Sequence, residues 1–381
     1  MIFRRKFPAT SSNRKQKMEA LMPVTPISDI NVSVLEVPFD KPIQSALGRY
    51  VGSDWVVVEM RAEDVVGYGY SMSLDRRGTK AVVSYIENEL APMANGQDAA
   101  APEAVWQTMF APNKARLRGG VGVHALSAVD TASWDVAARL AGVSLNRMIG
   151  GYAQTADVYG SGGWLSLSDE ELVAEAQRHA ANGITNYKLK IGGARDQARV
   201  GLLRREMGDD FTLYVDANQN FNVREAVAAS AWLADFGVAW LEEPVLADSP
   251  MDMEAVAAES AIPIAAGENA YFRWGFRDLV ERQAVTYLQP DIGRCGGVTE
   301  WIKIAHLADS YNLDLTSHLL HELSVGLIAA FPSGHAVEYM NFFKDNPFTQ
   351  DFSVVDGKIA VPDVPGHGVE FDPVAHKKYR V

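Results

Sequence analysis

Along residues 188–338, polar and mostly charged residues recur at the ends of short apolar runs. The runs read YKLKIGG, LYVDAN, WLEEP, IAAGEN, LQPD, TSH and VEYMN. They carry Lys188 and Lys190, Asp216 and Asn218, Glu242, Glu268, Asp291, His318 and Glu338. From Lys190 onward the gaps between the acids and the histidine are 26, 26, 26, 23, 27 and 20 residues. A strand, a helix and their two loops take about that length. A polar residue at the carboxyl end of each of several parallel strands is the active-site layout of a (β/α) barrel.

The intervening segments agree. Ser168 with Glu171, and Asn222 with Glu225, predict capping boxes that open helices, and Gly183 and Gly237 stand where a helix would close. Ser249-Pro250 predicts a cap followed by proline in the first turn. TLYV, AWL, IPIAA and TYLQ are apolar on both faces, as buried parallel strands are. Eight strand candidates are counted, starting with ADVYGS. The unit after VEYMN offers no helix. Its turn-rich continuation, with one hairpin-like run, is expected to pack back on the first domain.

Ahead of the barrel, INVSVLEVPF, WVVVEMRA and VVGYGYS predict a three-stranded antiparallel meander with a tight turn at Glu63-Asp64. Helical periodicity then covers residues 79–93, 102–110 and 121–140. Strands first and helices after indicate an α+β domain ending near Gly150-Gly151. The fold class is therefore α/β, a (β/α)7β TIM-type barrel preceded by an α+β capping domain. Expected boundaries are a disordered basic tail over 1–28, the capping domain over 29–150, the barrel over 151–350 and the returning segment over 351–381. Residues 1–17 carry six basic and no acidic residues and lack the apolar segment of a secretory signal.

Composition narrows the partners. A net charge of −13 argues against non-specific nucleic-acid binding, which needs a basic surface. No apolar run approaches the ~20 residues of a membrane span. The single cysteine, Cys295, excludes an internal disulfide and fits a reducing, cytoplasmic setting. Its reading as a nucleophile lacks an activating neighbour in sequence.

Asp216, Glu242 and Glu268 end three successive strands. Alone, each could cap the following helix. Three converging carboxylates repel, and a divalent cation resolves that; an all-oxygen set suits Mg²⁺ rather than Zn²⁺. Lys188 and Lys190 lie two apart on one strand face, so both point into the barrel mouth unless the strand is an edge. Each ammonium is expected to depress the pKa of the other, which would make one a base near neutral pH. Asp291 and His318 end adjacent strands, placing a carboxylate where it sets the tautomer of the imidazole. His321 and Glu322, just past His318, are supporting candidates. A metal with a base on either side suits removal of the proton α to a substrate carboxylate through an enediolate.

These motifs, together with SAVDTASWDVAARLAGVSLNRMIGG and IAVPDVPGHGVEF, make the chain resemble the mandelate racemase subgroup of the enolase superfamily over residues 30–380. The resemblance implies Mg²⁺ on Asp216, Glu242 and Glu268, with Lys190 and His318 as bases on opposite faces of the α-carbon. It implies that Lys188 neutralises the substrate carboxylate, that Glu338 hydrogen-bonds it, and that Asn218 lines the site. Muconate-cycloisomerase-type members carry a strand-six lysine and no strand-seven histidine, whereas this chain has QPDIGRCGG and His318. Arg294 lies nearby but does not readily give up a proton.

In this family a loop of the first domain closes over the barrel. Here the matching stretch is KPIQSALGRYVG, which offers Gln44, Ser45, Arg49 and Tyr50, with Tyr68 and Tyr70 behind. Gln44, Arg49 and Tyr50 are taken as substrate-binding candidates, and such polar groups suit a polyhydroxylated substrate. The expected function is an acid-sugar dehydratase acting on a small-molecule carboxylate. A 2-hydroxy acid racemase or epimerase, a sugar-lactone cycloisomerase and a non-catalytic binding barrel are the alternatives. The resemblance also implies a homo-oligomer, dimer or octamer.

Overall fold

The computed structural model describes residues 24–340 and 347–381. The expected basic tail therefore lies outside the described residues up to residue 23, and the first strand already begins at Ile27. Three antiparallel strands, β1 (Ile27–Ser45), β2 (Gly48–Ala62) and β3 (Val65–Leu74), form a sheet in sequence order. The β1–β2 hairpin slips register between Pro38 and Ile43 and then pairs Ile43 with Tyr50 and Gln44 with Arg49. Alternation puts these two pairs on opposite faces of the ribbon.

The helical half begins with α1 (Thr79–Tyr85), which passes through a π turn at Ile86–Leu90 into α2 (Ala91–Ala94). Next come α3 (Pro102–Asn113), α4 (Val121–Leu140) and α5 (Leu145–Ile149). The long helix α4 lies directly against β3, where two glycines permit the approach. A Cβ on Gly69 would sit 2.2 Å from the Ala128 carbonyl oxygen, and one on Gly67 2.6 Å from Val136.

The barrel strands are β4 (Thr155–Gly162), β5 (Asn186–Lys190), β6 (Thr212–Asp216), β7 (Val238–Glu242), β8 (Ile264–Ala266), β9 (Tyr287–Leu288), β10 (Asp314–Thr316) and β11 (Gly334–Tyr339). They pair in parallel in chain order, and β11 closes onto β4. Between them run α6 (Asp169–Ala181), α7 (Asp196–Met207), α8 (Val223–Asp235), α9 (Pro250–Glu259), α10 (Phe272–Glu281), α11 (Val298–Ser310) and α12 (His321–Ile328). This is the (β/α)7β barrel expected. The capping boxes of α6 and α8 are both formed, and Gly183 and Gly237 adopt φ of 77° and 64°. Ser249 stands at the cap of α9, but its hydroxyl donates to Asp252 at 2.7 Å rather than accepting from the backbone.

The returning segment touches both halves. β12 (Lys358–Ala360) pairs antiparallel with β4, while α13 (Pro373–Tyr379) packs on β1. His367 fastens it to the first domain, its N–H donating to Asp135 at 2.8 Å. One continuous core runs from Leu35, Trp55 and Met72 of the cap to Leu320 and Leu323 of the barrel, so the cap is packed against the barrel mouth.

Candidate active site

Inside the barrel, inward side chains alternate along each strand, so residues two apart stack in layers. Tyr214 lies two residues before Asp216, and Trp240 two before Glu242. The lower layer is aromatic. Tyr214 and Trp240 stack with ring centroids 3.4 Å apart, and Tyr159 meets Trp240 edge-on at 5.3 Å. The upper layer is ionic. Lys190 pairs in register with Asp216, and Asp216 with Glu242, so their side chains rise at one level above a packed floor.

The carboxylates converge as expected. Asp216, Glu242 and Glu268 are buried, and one oxygen from each lies within 4.8 Å of the others. Burial pushes the Glu242 carboxyl up to about 7, against the pull of Lys188. Glu268 Oε2 is buried and accepts no hydrogen bond, although His318 Nε2 is 3.1 Å away. The Asn218 side-chain oxygen is likewise buried without a partner among the described residues. Crowded acids with buried unsatisfied oxygens fit a hard divalent cation.

The two lysines divide the carboxylates between them. Lys190 Nζ is bonded to Asp216 Oδ2. Lys188 Nζ is 2.6 Å from both Glu242 Oε1 and Glu338 Oε1, and 3.7 Å from Asp216 Oδ2. Mutual depression of their pKa values, expected from the KxK spacing, does not hold in this arrangement. Burial acts to lower both, yet Glu242 and Glu338 hold Lys188 well above the ordinary lysine value, and Asp216 raises Lys190. The acids around them outweigh the single like charge.

Across from the lysines, His318 Nδ1 meets Asp291 Oδ2 at 2.8 Å. Burial disfavours the charged imidazole, but Glu268 and Asp291 outweigh it and raise the pKa. Arg294 bridges the same two acids, with Nε 3.1 Å from Asp291 and Nη1 3.4 Å from Glu268. Asn218 orients Asp216 from its backbone N–H at 2.8 Å and its amide at 3.1 Å. Glu338 Oε2 accepts from the Leu319 N–H at 2.7 Å, tying the last strand to the backbone that carries His318.

A cavity of about 310 Å³ opens above this layer, between cap and barrel. Lys190, Asn218, Glu268 and His318 line it from the barrel, and Tyr50 and Ser45 from the cap. Lys188 and Glu338 are fully buried and pair with each other outside that lining. Gln44 and Arg49 also fall outside it. Both are exposed, on the face of the hairpin opposite Ile43 and Tyr50, because the register turns them outward.

Two family descriptions cover most of the chain. "Mandelate racemase / muconate lactonizing enzyme, N-terminal domain" matches residues 29–150, and "Enolase C-terminal domain-like" matches 171–375. The chain belongs to the mandelate racemase/muconate lactonizing enzyme family of the enolase superfamily. A 3,6-anhydro-alpha-L-galactonate cycloisomerase of Streptomyces coelicolor is 35% identical over 84% of this chain and 90% of its own length. A racemase from Streptomyces coelicolor A3(2), solved with bound magnesium, superposes with a TM-score of 0.89 at 32% identity, covering 93% of this chain and 100% of that one. An L-talarate dehydratase from Polaromonas sp. JS666, complexed with Mg and L-glucarate, gives 0.86 at 30% identity over 93% and 97%. As a member of the enolase superfamily, the chain is an enzyme of the lyase or isomerase class.

The enolase-superfamily site holds residues that motif reading passed over. Gln289 donates to Glu242 Oε2 at 2.9 Å; its position two residues before Asp291 carried that signal. Glu243 is buried beside Glu242 at φ 37°, held by the Asn269 amide at 2.9 Å, and burial followed by Glu268 pushes its carboxyl well above the usual range. Arg77 and His124 line the cavity from the cap, and nothing local in the sequence marks either. Cys295 is buried, and burial raises its thiol, which leaves it inert.

Proposed function

We propose that the protein is a Mg²⁺-dependent acid-sugar dehydratase that removes the proton α to a carboxylate. The observation that carries the reading is the placement of two proton-transfer groups on opposite flanks of the acid cluster. Lys190 stands against Asp216, and His318 against Glu268. Asp216, Glu242 and Glu268 would hold Mg²⁺, which supplies positive charge beside the substrate carboxylate and so acidifies its α-proton.

The residues of the chain then divide the work. One of Lys190 and His318 takes the α-proton, and Asp291 holds the His318 ring so that Nε2 faces the cavity. As the β-hydroxyl leaves, the other group delivers a proton to it, so one water is lost and the resulting enol becomes a 2-keto acid. Lys188 orients Glu242, and Glu338 holds both Lys188 and the backbone after His318. Asn218 keeps Asp216 aimed into the site.

A second reading, sugar cycloisomerase, is favoured by the 35% identical relative. If the β-leaving group is a ring oxygen, the same proton removal opens the ring and loses no water. Incubation in D₂O with a panel of acid sugars and their lactones separates the readings. A dehydratase accumulates 2-keto acid with loss of one water, and a cycloisomerase gives an isomer of unchanged formula. A C2 epimer carrying deuterium, with no keto acid, would reject both and leave a racemase.

The protein is also proposed to work as a homo-oligomer in a reducing, cytoplasmic setting, which light scattering and fractionation test. Among the described residues no helix is long and apolar enough to cross a membrane.

A further inference from the structure

Among the groups lining the cavity, most cations are already taken. Lys190 is bonded to Asp216, and Arg294 is clamped between Asp291 and Glu268. Arg77 is different. Among the described residues no carboxylate lies within ion-pair distance of it, whereas its neighbour Arg76 pairs with Glu36. Its guanidinium instead lies 5.8 Å from the ring centroid of Tyr50, a buried side chain that also lines the cavity. Arg77 is exposed at the cavity mouth, so its guanidinium is open to an incoming anion. His124 projects into the same cavity from α4, its ring 6.4 Å from Tyr271. No hydrogen-bond partner to its ring nitrogens is formed among the described residues. Burial, aided by Arg294, lowers its pKa to about 4. A neutral imidazole both donates and accepts, which suits a sugar hydroxyl.

Building on the acid-sugar reading, we propose that Arg77 and His124 form a subsite for the end of the substrate remote from the reacting carboxylate, and that this end carries a second carboxylate, taken by Arg77. The substrate class is thus a sugar diacid. The guanidinium fork matches a carboxylate in two parallel hydrogen bonds, and His124 holds a hydroxyl along the chain between the two ends.

The test compares diacid and monoacid pairs that differ only at the terminal carbon: galactarate with galactonate, and glucarate with gluconate. The Mg²⁺-loaded enzyme should favour the diacid in kcat/KM by about tenfold or more. Arg77→Gln should lower that ratio about tenfold, mainly through KM, and Arg77→Lys should recover part of it. A general structural lesion would depress both members equally, and that result overturns the proposal. So does a wild-type enzyme with no preference for the diacid. His124→Phe should raise KM for both members of a pair; an unchanged KM removes His124 from the subsite. If the wild-type enzyme neither turns over nor deuterates any of the four acids, the acid-sugar reading falls, and this inference with it. Deuterium exchange with a monoacid alone overturns only the subsite.

Discussion

At the scale of single residues, the candidate site is a balance of buried charges. Lys190 and His318 sit on opposite flanks of the acids, and one base cannot serve both faces of a carbon. Lys190→Ala and His318→Asn are each expected to lower turnover by about 10²–10⁴-fold, the usual contribution of a positioned acid or base. Steady-state kinetics with the best acid from the panel checks this, and near wild-type turnover in His318→Asn would make the His318–Asp291 pair structural. A second buried acid, Asp130 on α4, acts on stability instead. Burial pushes its carboxyl up to about 8, although the Thr299 N–H and hydroxyl donate to it. Between its ordinary value of 3.8 and about 8, the folded chain keeps a proton that the unfolded chain has lost. Folding then binds protons, so this contribution weakens as pH rises through the window. Asp130→Asn removes the titration, and its melting temperature should fall less than that of the wild type between pH 5 and 8. Parallel curves for the two proteins would show that Asp130 is ionised in the fold.

At the scale of elements, close packing of α4 on β3 depends on the missing side chains of Gly67 and Gly69. Gly69→Ala places a Cβ 2.2 Å from the Ala128 carbonyl oxygen, and neither the helix nor the strand can give way cheaply. We expect a loss of about 1–3 kcal/mol, the range for overpacking. Gly275 in α10 is the contrasting case, since its Cβ would meet nothing closer than Ala270 at 3.6 Å. There Gly275→Ala should stabilise by about 0.5–1 kcal/mol, because the unfolded chain loses freedom. Denaturant titration of both variants tests the pair, and stability changes of the same sign would contradict the packing argument. The glycines opposite α4 matter to the site as well. α4 presents His124 to the cavity, and Asp130 on the same helix grips the loop before α11, where a Cβ on Gly297 would sit 2.4 Å from its carboxylate.

At the scale of the whole molecule, acids from β6, β7 and the loop after β8 would share one ion, so metal binding is linked to folding. Magnesium at about 100 times its dissociation constant should stabilise the fold by about 2.7 kcal/mol. Thermal unfolding with Mg²⁺ against EDTA measures it, and Glu242→Gln should shrink the difference. An unshifted melting temperature in the wild type would exclude a metal held by this triad. By itself, the sequence determined the barrel, its strand ends and the residues placed on them. Lys190, Asp216, Glu242 and His318 were legible because a strand displays its pattern locally, with period two and a polar residue where the strand stops. The capping boxes of α6 and α8 were legible for the same reason, being contacts three residues long. Tertiary structure decided what depends on partners far apart in the chain. It reversed the expected depression of the lysine pKa values, because Glu338 and Glu242 come to Lys188 across the barrel. It turned Gln44 and Arg49 outward and brought Arg77 and His124 to the cavity instead. Those outcomes follow from hairpin register and from the docking of α4 between β3 and the barrel, and no spacing within a short segment encodes either.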